Sequence, residues 1–165
     1  MDKTSFAGKA AALSAVALLT LLDQITKILA ADRLADGPFL IIPGVFELRY
    51  LENRGAAFGM LQNQRIFFLV LTVVFLAVIT YIYLRIPADR KYLPLRILSI
   101  IVTAVAIGNF IDRLVLVYVR DFLYFSLIDF PIFNVADIYV TVGCILLILL
   151  LLFYYKDEEL NFFKK

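Results

Sequence analysis

The chain has 165 residues, of which 63% are hydrophobic and 18% charged, with a formal net charge of +2 and a mean hydropathy of +0.92. Soluble domains average about 45–50% apolar and about 25% charged, so this is the composition of an integral membrane protein, expected as a single unit over residues 1–165. The small net charge, with no basic patch interleaved with aromatics, excludes nucleic acid as a partner.

Histidine is absent, which excludes Ser-His and Cys-His nucleophiles and histidine zinc sites together. Any chemistry must use carboxylates, lysine or hard-cation ligands. The lone Cys144 lies in an apolar run and cannot found a disulfide framework. Tryptophan is absent too, so the interfacial aromatic belt must be tyrosine and phenylalanine.

Residues 1–9 are polar, with Lys3 and Lys9, and an apolar run follows from about 10 to 31. It resembles a signal peptide in outline, but it carries Asp23, Gln24 and Lys27 and no cleavage site follows, so it reads as a retained first span. Asp23 and Lys27 are four residues apart, share a helix face and can neutralise one another. The next region, about 36–60, reads as a small β-hairpin outside the membrane. Pro38 to Ile42 is extended, Pro43-Gly44 is a turn, and Val45 to Glu52 partly alternates. Phe46, Leu48 and Tyr50 share one face of that second strand, with Glu47 and Arg49 on the other. The stretch ENRGAAFGML then sets small residues (Gly55, Ala56, Ala57, Gly59) beside Asn53, where backbone can approach closely.

Residues 66–84 carry no charge and are bounded by Arg65 and Arg85. At 1.5 Å per residue this run spans about 28 Å, enough to cross a bilayer, and is expected to be the most lipid-exposed span. A basic loop at 85–96 leads to a third span at about 95–119. A fourth, at about 134–155, ends in the charged tail KDEELNFFKK. Basic residues favour the N-terminus, the 85–96 loop and the tail, which puts both termini in the cytoplasm and the hairpin outside.

Helix rise then gives depth. From the cytoplasmic flank, Asp23 lies roughly 21 Å in, Asp112 roughly 24 Å and Asp137 roughly 28 Å. Three helices therefore bring acids to the outer third of the bilayer, where ionisable groups are costly and point to function. Asn109, Asp112 and Arg113 recur at i, i+3 and i+4 on one helix face. Asn134 and Asp137 have the spacing of an N-cap and its N3 partner, and Asp121 alone reads as a loop acid.

Brought together, Asp121 and Asp137 cannot both ionise easily; one ionised carboxylate can take a proton from water while its protonated neighbour supports a peptide carbonyl. Arg113, Asn109, Asn53 and Asn134 would hold the substrate backbone. Three other readings use some of the same residues: a cation-conducting protein, a hard-cation site of Asp112, Asp121, Asn134 and Asp137, and Ser-Lys hydrolysis by Lys27 with Ser14 or Ser99.

Five stretches in register, DQITK at 23–27, ENRGAAFG at 52–59, GNFIDR at 108–113, VRDF at 119–122 and FNVAD at 133–137, resemble the bacterial lipoprotein signal peptidases (type II signal peptidases). The resemblance implies an all-α membrane protein of four transmembrane helices with a small extracytoplasmic β-cradle. It implies an aspartyl endopeptidase, without cofactor or metal, in the bacterial cytoplasmic membrane. The substrate would be a prolipoprotein, met among membrane lipid and cut before its diacylglyceryl-modified cysteine. Carried over, Asp121 and Asp137 fall on the catalytic pair, and Asn53, Asn109, Arg113 and Asn134 on the substrate cleft. Asp23 falls on a position needed for a working site, with Lys27, Asp112 and Gly55 supporting it. A monomer open to globomycin-type inhibitors is expected. Ile138 departs from the serine common after the second acid, and Phe58 from a tryptophan found in some members.

Overall fold

The computed structural model describes residues 6–56 and 60–163. Helix α1 (Phe6–Arg33) is followed by strands β1 (Phe39–Ile42) and β2 (Phe46–Asn53), then by helix α2 (Arg65–Arg85). A 3-10 turn at Arg90–Tyr92 opens α3 (Leu93–Val115), strand β3 (Val119–Tyr124) follows, and α4 (Val135–Leu149) ends in a wider π turn through Tyr154. The four helices are long and apolar enough to cross a membrane, over Phe6–Arg33, Arg65–Arg85, Arg90–Val115 and Val135–Tyr154.

Helix α3 is the hub and packs against α1, α2 and α4. The α1–α3 crossing is close because Gly108 faces α1: a Cβ there would sit 2.2 Å from Asp23 Oδ2. Thr20 Oγ1 adds a hydrogen bond to the Ala104 carbonyl at 3.3 Å. Helix α2 buries only Phe68, in keeping with the run free of charge between Arg65 and Arg85. At the end that carries both described termini, Ile86, Leu95 and Tyr155 form a small core. There Tyr92 and Tyr155 stack at 5.7 Å, and Lys91 pairs with Glu159.

The expected hairpin is present and belongs to a larger sheet. The order is β1-β2-β3, all antiparallel. Leu48 and Tyr50 pack on Ala30, Leu34 and Phe122, which rests the sheet on the end of α1. The third strand corrects two sequence expectations: the third span stops at Val115 rather than near residue 119, and VRDF is a strand rather than a connection. Between them the chain reverses over residues 116–118, with Val117 at φ 75°. A β-branched residue in that left-handed region costs about 1–3 kcal/mol and persists only where its surroundings dictate it.

Candidate active site

Helix α4 begins with a capping box. Asn134 Oδ1 accepts from the amides of Ala136 at 2.8 Å and Asp137 at 3.3 Å, and Asp137 Oδ2 accepts from the Asn134 amide at 2.9 Å. Two orphan N–H groups of the first turn are thereby satisfied. With its oxygen committed to the helix, Asn134 turns its Nδ2 outward and donates to Asp121 Oδ1 at 2.6 Å. Asn53, at the end of β2, donates to Asp121 Oδ2 at 2.9 Å, while its own Oδ1 accepts from the Gly55 amide at 2.9 Å. Both oxygens of Asp121 therefore receive an amide whose orientation is fixed by backbone. Capping and site-building are one arrangement here.

Asp121 is 2% exposed and Asn134 1% exposed. Burial pushes the Asp121 carboxyl up from 3.8 to about 6, the Asn53 and Asn134 hydrogen bonds pull it down, and the neighbouring Asp137 charge pushes it up again. A charged acid in an apolar setting is disfavoured until donors or cations compensate. Asp121 and Asp137 line one cleft of about 800 Å³ together with Asn53, Gly55, Asn109, Arg113 and Asn134. The rest of its lining, Phe130 to Phe133 and Ile138, Val140, Thr141 and Val142 along α4, is mainly apolar.

Behind the cleft lies a second polar layer. Lys27, with no exposed surface, reaches Asp23 Oδ2 at 3.0 Å, Asp112 Oδ2 at 3.5 Å and Asn109 Oδ1 at 2.8 Å. Arg120 donates to Asp112 Oδ1 at 2.6 Å and to Gln24 Oε1 at 2.8 Å. Gln24 Nε2 donates to Asp23, Asp112 and the Gly108 carbonyl at 3.1–3.2 Å. Two cations thus face two carboxylates, so the layer is neutral as a whole, the condition under which buried charges are tolerated.

A third element is the loop after β2. Ala56 N–H donates to the Met60 carbonyl at 2.7 Å, and a Cβ on Gly55 would meet that carbonyl at 2.3 Å, so only glycine fits. Arg113 donates to the Gly55 carbonyl at 3.0 Å, with its guanidinium 4.6 Å from the centre of the Phe68 ring. Arg65 in turn donates to the carbonyls of Arg113 and Leu114 at 2.8 and 2.6 Å, satisfying the open end of α3. Ala57, Phe58 and Gly59, including the expected departure at Phe58, lie outside the described residues.

The structure brings Asp121, Asp137, Asn53, Asn109, Arg113, Asn134 and Gly55 to one cleft. It places Asp23, Lys27 and Asp112 behind that cleft. The shared face expected of Asn109, Asp112 and Arg113 divides: Asn109 and Arg113 line the cleft, whereas Asp112 points into the buried layer. Adjacent helix residues diverge by about 100°, so Asp112 and Arg113 leave α3 on either side of Asn109. Among the described residues no group of three or more His, Cys, Asp or Glu side chains is placed to hold a metal ion. The roles of Arg120 and Gln24 in this layer do not follow from sequence spacing. The available signal was a second cation beside Asp121 and a polar residue beside Asp23, both within apolar sequence.

Four membrane-crossing helices beneath a three-stranded sheet, with carboxylates and amides converging on one cleft, define a polytopic membrane protein with a buried polar site. The chain belongs to the signal peptidase II family, whose description, Signal peptidase (SPase) II, matches residues 15–153. It is 46% identical over 134 residues to proteins named lipoprotein signal peptidase from Streptococcus pyogenes serotypes M5 (strain Manfredo) and M18 (strain MGAS8232), covering 79% of this chain and 86% of each relative. It also superposes on a bacterial membrane enzyme solved by the in meso method at 2.3 Å with a TM-score of 0.76. That match is 32% identical and covers 95% of this chain and 97% of the other. A second such structure, at 1.9 Å, gives a TM-score of 0.75 at 33% identity, covering 94% and 99%.

Proposed function

We propose that the protein is an aspartyl endopeptidase that removes the signal peptide from prolipoproteins, cutting before a diacylglyceryl-modified cysteine. The observation that carries this is Asp121, held by fixed amides from β2 and the α4 cap, sharing a cleft with Asp137. Raised by burial only as far as about 6 and steadied at both oxygens by Asn53 and Asn134, Asp121 is ionised at neutral pH and serves as the base. Asp137 has one oxygen committed to the Asn134 amide, and the other is left to carry a proton.

Water held between them gives a proton to Asp121 as its oxygen attacks the peptide carbon, and Asp137 gives its proton to the carbonyl oxygen. The tetrahedral intermediate then collapses. Its hydroxyl proton returns to Asp137, and the proton taken by Asp121 passes to the departing cysteine nitrogen, which restores both acids. Asn109 and Arg113 hold the substrate backbone extended, since a displacement of about 1 Å can cost 10²-fold in rate. The apolar wall takes the signal peptide and lipid chains, and a globomycin-type cyclic peptide fills the same space. The site opens toward the outer face of the membrane, with both termini in the cytoplasm and the chain acting as a monomer.

Purified protein in lipid should cleave a precursor carrying a diacylglyceryl cysteine, leave the unlipidated precursor intact, and keep its rate in excess chelator. Equal cleavage of both precursors would remove the substrate assignment. Loss of activity to chelator, restored by a divalent cation, would replace the dyad with a metal site.

A further inference from the structure

We propose that Arg120 is a positioning residue: it pegs strand β3 to α1 and α3, and so sets the height at which Asp121 meets Asp137. The inference rests on the dyad reading above. Arg120 and Asp121 are consecutive strand residues, so their side chains leave β3 on opposite faces. Asp121 enters the cleft. Arg120 enters the bundle and is 8% exposed.

Its anchorage is unusually complete. Arg120 Nη2 donates to Asp112 Oδ1 at 2.6 Å and to Gln24 Oε1 at 2.8 Å, while Nε and the backbone amide donate to Asp112 Oδ2 at 3.3 and 3.1 Å. One side chain therefore ties three elements together, and the planar fork of arginine suits an acceptor pair that a lysine could satisfy only in part. The short connection from α3 to β3 supplies a second, independent observation. It runs through Val117 at φ 75°, a conformation such a residue keeps only under constraint. Unpegged, the connection relaxes toward an unstrained backbone and carries Asp121 away from Asp137.

The test compares three variants in the lipidated-precursor assay, with rates expressed per folded molecule. Arg120→Met should lower kcat about 100-fold, the scale of a small misplacement of a reacting group, with KM within about threefold. Arg120→Lys should recover part of the loss. Because Arg120→Met leaves Asp23 and Asp112 sharing Lys27 as their one buried cation, the charge-balanced double variant Arg120→Met/Asp112→Asn keeps the proposal testable if the single variant fails to fold. It should be folded and still about 100-fold slow. A double variant with restored kcat would overturn the proposal, because the loss would then belong to the unbalanced charge. So would full kcat in Arg120→Met. Asp121→Asn in the same assay separates the two levels. If it is inactive while the Arg120 variants run at full rate, only the positioning role falls; if it cleaves, the dyad falls as well.

Discussion

Asp121→Asn should lose about 10⁴-fold in kcat/KM, the upper end for removing a proton-transfer group, while the protein remains folded. The carboxylate is the proposed base, and an amide has no basic site for the proton of water. Folding should survive because the interior already disfavours the charge it removes: burial pushes Asp121 up to about 6. The change is not free, since Asn53 and Asn134 both donate to this side chain, and an amide offers only one acceptor oxygen to two donors. Against that loss stands relief from burying a negative charge, so the melting temperature should move by only a few degrees.

The same carboxylate fixes the pH response of the parent. Cleavage should fall about tenfold per pH unit below about 6, as Asp121 takes a proton and ceases to act as a base. The fold should not weaken over that range. The folded state holds the proton more tightly than the unfolded chain, whose carboxyl titrates near 3.8; Asp121 therefore adds stability as the pH falls from about 6 toward 4. Melting measured at pH 5 and pH 7, beside the rates, checks the sign. A rate that stays flat to pH 5 would remove Asp121 as the base.

Lys27→Met should have the largest effect on stability. Lys27 is fully buried and joins Asp23, Asp112 and Asn109 at one point. Its loss leaves two carboxylates facing Arg120 alone. Stranding a buried charge costs about 3–5 kcal/mol, a large part of the 5–15 kcal/mol available to a typical fold. Little folded protein should be recovered in detergent. Lys27→Met/Asp23→Asn, which removes the pair together, should restore much of the yield; equal yields for the single and double variants would show that the lysine carries no such weight.

The four spans and the hairpin were legible because long apolar runs and short alternating ones have few other structural solutions. Strand β3 was not. Val119 to Phe122 are buried in succession, so no alternation marks them, and the strand forms only because β2 is there to pair with it. The acids on α1, α3 and α4 were placed at a common depth by helix rise alone, and the ion pair of Asp23 with Lys27 followed from their spacing. The partners of Asp112 did not. Arg120 reaches it from another element, and no periodicity records such a meeting. The spacing of Asn134 and Asp137 suits a cap and a site alike, and the capping box is what aims Asn134 at Asp121.

The chain between the two acids is closed on itself. Phe122 and Leu123 both donate to the Phe133 carbonyl at 2.9 and 2.7 Å, and Phe133 N–H returns a bond to Leu123 at 3.0 Å. The excursion through Ser126–Ile128 therefore leaves from a cinched neck, which separates its contour length from the spacing of the carboxylates at its base, while Leu127 N–H ties its tip to the Val45 carbonyl at 3.4 Å. Doubling such a loop adds only about 0.6 kcal/mol of closure entropy. Ser126 to Ile128, short of the cleft-lining Phe130 to Phe133, is where the chain can be lengthened or tagged while the spacing of the two carboxylates stays put.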